Sequence, residues 1–311
     1  TSDGTDISWG AAGSGVTFKE GGTNFTNSLL VGTDGTGTLS SANGNTGVGT
    51  GVLAALTSGD NNVAVGLNAM SSNTTGSDNV SIGCGSLCIN TTGAQNVAIG
   101  HFSLDANTTA SNNVAVGYCS LTTNTTGTPN TAVGQGSLRQ NTTGANNVAL
   151  GFESLKNNTT GASNTAVGKD ALFTNTTGCQ NVAVGTCSLN ANTDAFKNVA
   201  VGFEAGKDNT TADNLTAIGF QAAQNNTTGG GNTGVGSAAL NTNTTGASNT
   251  AIGSGALYAN TTASDNTAVG ASALDTNTTG ASNTAVGKNA LTANTTACDN
   301  TAMGCGALAA N

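Results

Sequence analysis

The chain is poor in almost everything that enzymes and nucleic-acid-binding proteins rely on. Charged residues make up 7% of its 311 positions, with seven Lys and Arg against sixteen Asp and Glu and a formal net charge of -9. So few cations cannot neutralise a run of phosphates, which argues against nucleic acid as a partner. A single histidine, His101, sits at a variable position, so no catalytic constellation of acid, base and nucleophile can be assembled around it. No enzyme activity and no cofactor are expected. No stretch approaches the ~20 apolar residues that span a bilayer, and no charged-then-apolar leader is present. A chain that starts at Thr1 without Met and stops at Asn311 in mid-repeat is expected to be a processed product or a fragment, with any signal or anchor outside it. The scarcity of charge also argues against disorder, because disordered chains are rich in charge and poor in aliphatics.

What is abundant is Gly, at 46 residues, together with Asn, Thr, Ala and Ser. A glycine recurs every 17 residues from Gly49 through Gly66, Gly83, Gly100, Gly117 and Gly134 to Gly168, Gly253 and Gly304. The unit reads N-[TV]-A-[VI]-G-x-x-[AS]-L-x-x-N-T-T-[GA]-x-x, as from Asn164 to Gln180. Nothing interrupts the count between Asn45 and Asn311. Surface loops tolerate insertions cheaply, so strict spacing means that each unit occupies the same place in a stack. Seventeen residues are too few for a helix pair, and Gly, Asn and Thr oppose helix. The expected fold is all-β, a parallel β-solenoid (β-roll) of about sixteen coils over 45–311. At ~4.8 Å per coil such a stack reaches roughly 75 Å.

Period-2 alternation is expected to turn the second position (Val or Thr) and the always aliphatic fourth (Val65, Ile99, Leu150, Met303) inward, facing Leu at the ninth (Leu87, Leu104, Leu172, Leu291). The third position, Ala in all but three registers, then points outward and implies lateral packing of chains on a flat Ala face; the alternative is that Ala fits a narrow corner of a single coil. The fifth-position glycines are expected to mark a corner with φ > 0 or a close backbone approach. Asn-Thr-Thr makes the second corner, and stacked Asn can form a hydrogen-bonded ladder. Residues 1–44 form an N-terminal segment with one degenerate coil at Leu29–Gly32. Within it, residues 1–27, with Trp9, Phe18 and Phe25, are expected to cap the stack or dock a subunit. An open end at Asn311 would allow head-to-tail filaments.

The stretches Asn-Val-Ala-Val-Gly at 113–117, Asn-Thr-Ala-Val-Gly at 164–168 and Asn-Thr-Ala-Ile-Gly at 249–253, each with Ala or Ser three residues later, resemble the head repeats of YadA-like trimeric autotransporter adhesins. Similar repeats occur in phage and algal-virus fibre proteins. The resemblance covers 45–311 and implies a left-handed parallel β-roll in a trimeric surface fibre. The unit of 17 is longer than that family's usual repeat, and neither a coiled-coil stalk nor a membrane anchor is recognisable.

Several residues are candidates for more than a scaffold. Asn-Thr-Thr, which contains the Asn-x-Thr acceptor pattern for N-glycosylation, recurs at Asn73, Asn90, Asn107, Asn124, Asn141, Asn158, Asn175, Asn209, Asn226, Asn243, Asn260, Asn277 and Asn294. These Asn either carry glycans or point inward as a turn ladder, leaving exposed Thr hydroxyls for O-linked sugar. Candidate disulfides are Cys84–Cys88, Cys179–Cys187 and Cys298–Cys305, with Cys119 left over, implying an oxidising, external setting. Cys-x-x-Cys spacing is absent, which disfavours zinc. Asp60, Asp78, Asp213, Asp265 and Asp299 fall just before a new unit, without the Gly and Asp rhythm of calcium-binding β-rolls; no metal is expected. The functional expectation is a structural subunit of an extracellular or surface fibre that self-associates as a lateral trimer or a head-to-tail filament. Receptor-binding tail-fibre or adhesin shafts and an ice-binding solenoid are the alternatives.

Overall fold

The computed structural model describes residues 7–9, 16–22, 25–32 and 37–310, the first two segments as backbone only. The side chains of the expected cap over 1–27 therefore lie almost wholly outside the described residues. The fold is an all-β parallel β-solenoid of about sixteen coils, each of 17 residues, without helix among the described residues. It divides into two compact units, Thr1–Leu150 and Gly151–Asn311.

In the first unit, β1 (Ile7–Trp9) pairs antiparallel with β2 (Val16–Gly22), and β2 pairs antiparallel with β3 (Phe25–Val31). From β3 onward every strand is parallel to the next, through β4 (Thr46–Val48) to β10 (Asn147–Leu150), each coil adding one. The second unit repeats this from β11 (Thr165–Val167) to β19 (Thr301–Met303). The register is constant: Thr165 lies beside Val182, Ala166 beside Ala183, Val167 beside Val184.

The alternation runs in the opposite phase to the one expected from aliphatic content. The third-position Ala is the buried residue, with Ala166 and Ala251 at 0% exposure, whereas Ile82, Ile99, Ile218 and Ile252 at the fourth are 36–42% exposed. Two constraints set this phase. The first-position Asn must point inward to reach a carbonyl inside the coil, so position three follows it. The opposite wall is already filled by the ninth-position Leu, which leaves no depth for Val or Ile. Even at Gly47, which replaces Ala, an added Cβ would lie 2.5 Å from Leu30 Cδ2 and 3.6 Å from Leu53 Cδ1. The Ala file is thus the filling of a narrow single-chain interior, and the idea of chains packing on an Ala face is overturned. The interior comprises Asn, Ala, Ala or Ser, Leu, Asn, and Gly or Ala from positions 1, 3, 8, 9, 12 and 15, as at Asn164, Ala166, Ala171, Leu172, Asn175 and Gly178.

Two backbone features explain residue choices along the coil. Sixteen fifth-position glycines, Gly49 to Gly304, have φ of +121° to +140°, and a Cβ on Gly168 would sit 2.6 Å from the Gly185 carbonyl oxygen of the next coil. The ninth position is left-handed, with φ of 50° at Leu172 and 46° at Leu189. β-branched side chains are most strongly penalised there, which accounts for Leu rather than Val or Ile in the wall.

Met70, Gly206 and Ala223 stand in place of Leu at the ninth position, and the coil of Gly206 shows how tightly the pattern is coupled. Gly206 stands where Leu is usual, and the next coil begins with Leu215 instead of Asn. A Cβ on Gly206 would lie 3.1 Å from both Leu189 Cδ2 and Leu215 Cδ2, so Leu215 occupies the space the missing leucine leaves. The Leu215 amide still donates to Asn198 Oδ1 at 2.8 Å. Gly206→Leu alone overpacks the interior, and Leu215→Asn alone opens a cavity, each costing about 2–4 kcal/mol. The double variant Gly206→Leu/Leu215→Asn is expected to recover most of that loss, read as the urea midpoint of all four proteins. Gly168→Ala is expected to cost about 2–3 kcal/mol through clash and strain, seen as a lower urea midpoint.

Candidate functional site

The thirteen asparagines of the Asn-Thr-Thr corners line up as an internal ladder. Asn175 Nδ2 donates to Asn158 Oδ1 at 2.8 Å and to its own coil's Gly178 carbonyl at 3.0 Å. Asn243 Nδ2 repeats both bonds, to Asn226 Oδ1 (2.7 Å) and the Gly246 carbonyl (2.9 Å). All thirteen are 0–2% exposed. A second ladder runs through the first position: the Asn62 amide N–H and Nδ2 both donate to Asn45 Oδ1 at 3.0 Å, and Nδ2 also reaches the Gly76 carbonyl at 2.9 Å. That carbonyl also accepts Asn73 Nδ2 at 2.9 Å, which ties the two ladders together inside one coil. Among the described residues no buried side-chain nitrogen or oxygen lacks a partner. An Asn whose amide hydrogens are both engaged in a closed interior has no room for a glycan, so the inward ladder is the arrangement adopted.

The two threonines of the corner separate. Thr176 Oγ1 donates to the Thr193 carbonyl of the next coil at 3.1 Å, and Thr227 repeats this to Thr244 at 2.9 Å. The following residue, Thr177 or Thr228, is exposed.

The cysteines and aspartates near the start of a unit have a shared structural use. At position 16 a side-chain acceptor receives the N–H of the residue one coil earlier: Asp60 Oδ1 from Asn43 (2.7 Å), Ser111 Oγ from Ala94 (3.0 Å), Asp213 Oδ1 from Phe196 (2.9 Å), Cys179 Sγ from Ala162 (3.3 Å) and Cys298 Sγ from Ala281 (3.3 Å). Asp78 at position 17 accepts instead from Asn61 Nδ2, at 3.3 Å; Asp265 and Asp299 occupy that same position. Cys84, Cys88, Cys119, Cys179, Cys187, Cys298 and Cys305 are all free thiols, so none of the three candidate pairs is closed here. Burial raises the Cys187 thiol pKa, which holds it in the unreactive protonated form. Among the described residues no group of three or more His, Cys, Asp or Glu is placed to hold a metal ion.

Chemical variety gathers on the turn that follows the fifth-position glycine. His101 stacks on Tyr118, ring centroids 5.6 Å apart and 5° from parallel, and Phe203 stacks on Phe220 at 5.6 Å and 11°. Glu204 Oε2 accepts from Gln221 Nε2 (2.9 Å) and Gln224 Nε2 (2.8 Å), while Oε1 takes Lys207 Nζ at 3.0 Å. The Gln221 bond, then the Lys207 bond, holds this carboxyl below the ordinary glutamate range. A shallow cleft of about 310 Å³ lies between Phe152 and Phe173 on the same turn. The sequence reading missed this edge because its residues differ from coil to coil; the signal was that most basic and aromatic residues of the repeats fall at positions 6, 7 and 10.

No protein-family model matches the chain, and no curated protein and no solved structure matches it.

The ladder predicts an asymmetry within one corner. Asn175→Ala leaves neighbouring amide and carbonyl groups buried without partners and is expected to cost about 1–3 kcal/mol, whereas Thr177→Ala at the exposed neighbour should change the urea midpoint little. Because the folded Glu204 carboxyl titrates lower than in the unfolded chain, its contribution to stability is present above the ordinary glutamate range and is lost as pH falls through the lowered value. Gln221→Ala should move that titration back upward, as followed by carboxyl-carbon NMR.

Proposed function

We propose that this chain is a non-catalytic structural subunit of an extracellular or surface fibre, in which the coils supply stiffness and the outward strand face joins one chain to another. The observation that carries the reading is the inverted alternation. Val48, Ile82, Ile99 and Leu150 in the first unit, and Val201, Ile218, Ile252 and Met303 in the second, are each at least 36% exposed. An apolar file on a parallel sheet is costly to leave in water, and a second copy carries the complementary file at the same coil spacing. The likeness to adhesin head repeats supports the same reading, with three chains as the expected number. Among the described residues no helix is long and apolar enough to cross a membrane.

An ice-binding surface is a second reading, favoured by one feature. Thr216, Thr233, Thr250, Thr267, Thr284 and Thr301 form an unbroken outward file in register on this face. Thermal hysteresis would support it.

Sedimentation equilibrium tests the fibre proposal. The parent chain is expected to associate, and Ile218→Asp/Ile252→Asp to return it to monomer with an unchanged far-UV circular dichroism spectrum. A parent chain that stays monomeric over the accessible concentration range would overturn the proposal.

A further inference from the structure

We infer that the turn following the glycine file in the second unit binds a neutral polysaccharide, with the cleft between Phe152 and Phe173 as its main subsite. This goes beyond the fibre proposal and uses a different surface from the strand face. The cleft, about 310 Å³, is lined by Phe152, Glu153, Lys169, Asp170, Phe173 and Asn190, a volume at the lower end of the ~300–1,000 Å³ typical of ligand sites.

Both carboxylates of the lining are ion-paired, Asp170 with Lys169 of the lining itself and Glu153 with Lys156 just outside it. Lys156 Nζ pairs with Glu153 Oε1 at 2.9 Å and Lys169 Nζ with Asp170 Oδ2 at 2.5 Å. Each ammonium also sits near a ring, Lys156 5.0 Å from the Phe173 centroid and Lys169 5.9 Å from that of Phe152. An anionic ligand would meet the two carboxylates, and a cationic one would meet lysines already placed at the aromatic faces. A neutral ligand meets neither penalty. Each carboxylate keeps a second oxygen to accept from a hydroxyl. Asn190 donates one amide hydrogen to the Asp170 carbonyl at 3.1 Å and keeps the other amide hydrogen and an acceptor oxygen.

The exposed ring of Phe152 and the half-buried ring of Phe173, beside directional hydrogen-bonding groups, suit a molecule with flat C–H faces and an equatorial rim of hydroxyls, which is the shape of β-linked glucose. The pattern recurs three coils later. Phe203 occupies the coil position of Phe152, stacks on Phe220, and lies beside Glu204, Gln221 and Gln224. Three coils at ~4.8 Å each separate the two platforms by roughly 14 Å, a span that one oligosaccharide chain can bridge.

Affinity electrophoresis of the full chain in native gels tests this, with hydroxyethyl cellulose as the neutral probe and carboxymethyl cellulose as its anionic counterpart. Retardation by hydroxyethyl cellulose is expected, weakened at least tenfold in Phe152→Leu/Phe173→Leu, which removes the rings while keeping bulk, and unchanged in Thr177→Ala. Far-UV circular dichroism verifies the fold of each variant, and ring-proton NMR shifts of the parent with cellohexaose provide a readout free of variants. Absence of both retardation and ring-proton shifts, retardation by carboxymethyl cellulose alone, or equal retardation of a folded double variant would overturn the inference.

Discussion

Everything in this fold depends on a buried amide that spends one hydrogen inside its own coil and needs a copy of itself in the neighbouring coil for the other. Inside each coil Asn175 and its equivalents are shut away from water, where an unpaired amide is costly. The partner at the right distance and angle is the same Asn one coil away, as in the 2.8 Å bond from Asn192 to Asn175. A coil displaced by one residue would break this bond, the twin bond at the first position and the threonine bond at the corner together. The constraint is therefore collective, and it explains why the spacing never varies while surface residues do.

The same interior sets what faces outward. A cavity walled by left-handed Leu and crossed by two Asn ladders has depth only for Ala along the strand, so the larger aliphatics are displaced to the solvent side. This inverts the usual expectation that bulk marks the core. It leaves an apolar strand face, a hydroxyl-bearing corner and a variable turn as three separate surfaces on one coil.

Much of the coil was legible in the sequence. The period, the glycine corner and the leucine wall follow from spacing and residue chemistry, since few other structures require Gly at every seventeenth residue. The phase of the strand was not legible from apolar content, because Ala-in with Val-out and Val-in with Ala-out give the same pattern. The deciding residue was Asn164 and its equivalents, whose inward amide fixes Ala166 inside two residues later. The Leu in place of Ile at position nine carried a backbone signal as well as an apolar one. Position 16 was read as acid or thiol chemistry, because Asp60, Cys179 and Ser111 look unrelated until their shared acceptor role for the preceding coil is seen. The aromatic cleft leaves no periodic trace in the sequence, since it consists of the residues that do not repeat.

The claim that registry of identical coils is what holds the fold together is tested most directly by two deletions in the second unit. Removing the whole coil Asn181–Lys197 should leave a protein with the parent's far-UV circular dichroism per residue and nearly the parent's melting temperature. Removing Ala183 alone shifts one strand by a residue and turns its buried side chains outward, and should abolish cooperative melting of that region. A single-residue deletion tolerated as well as the full-coil deletion would contradict the account.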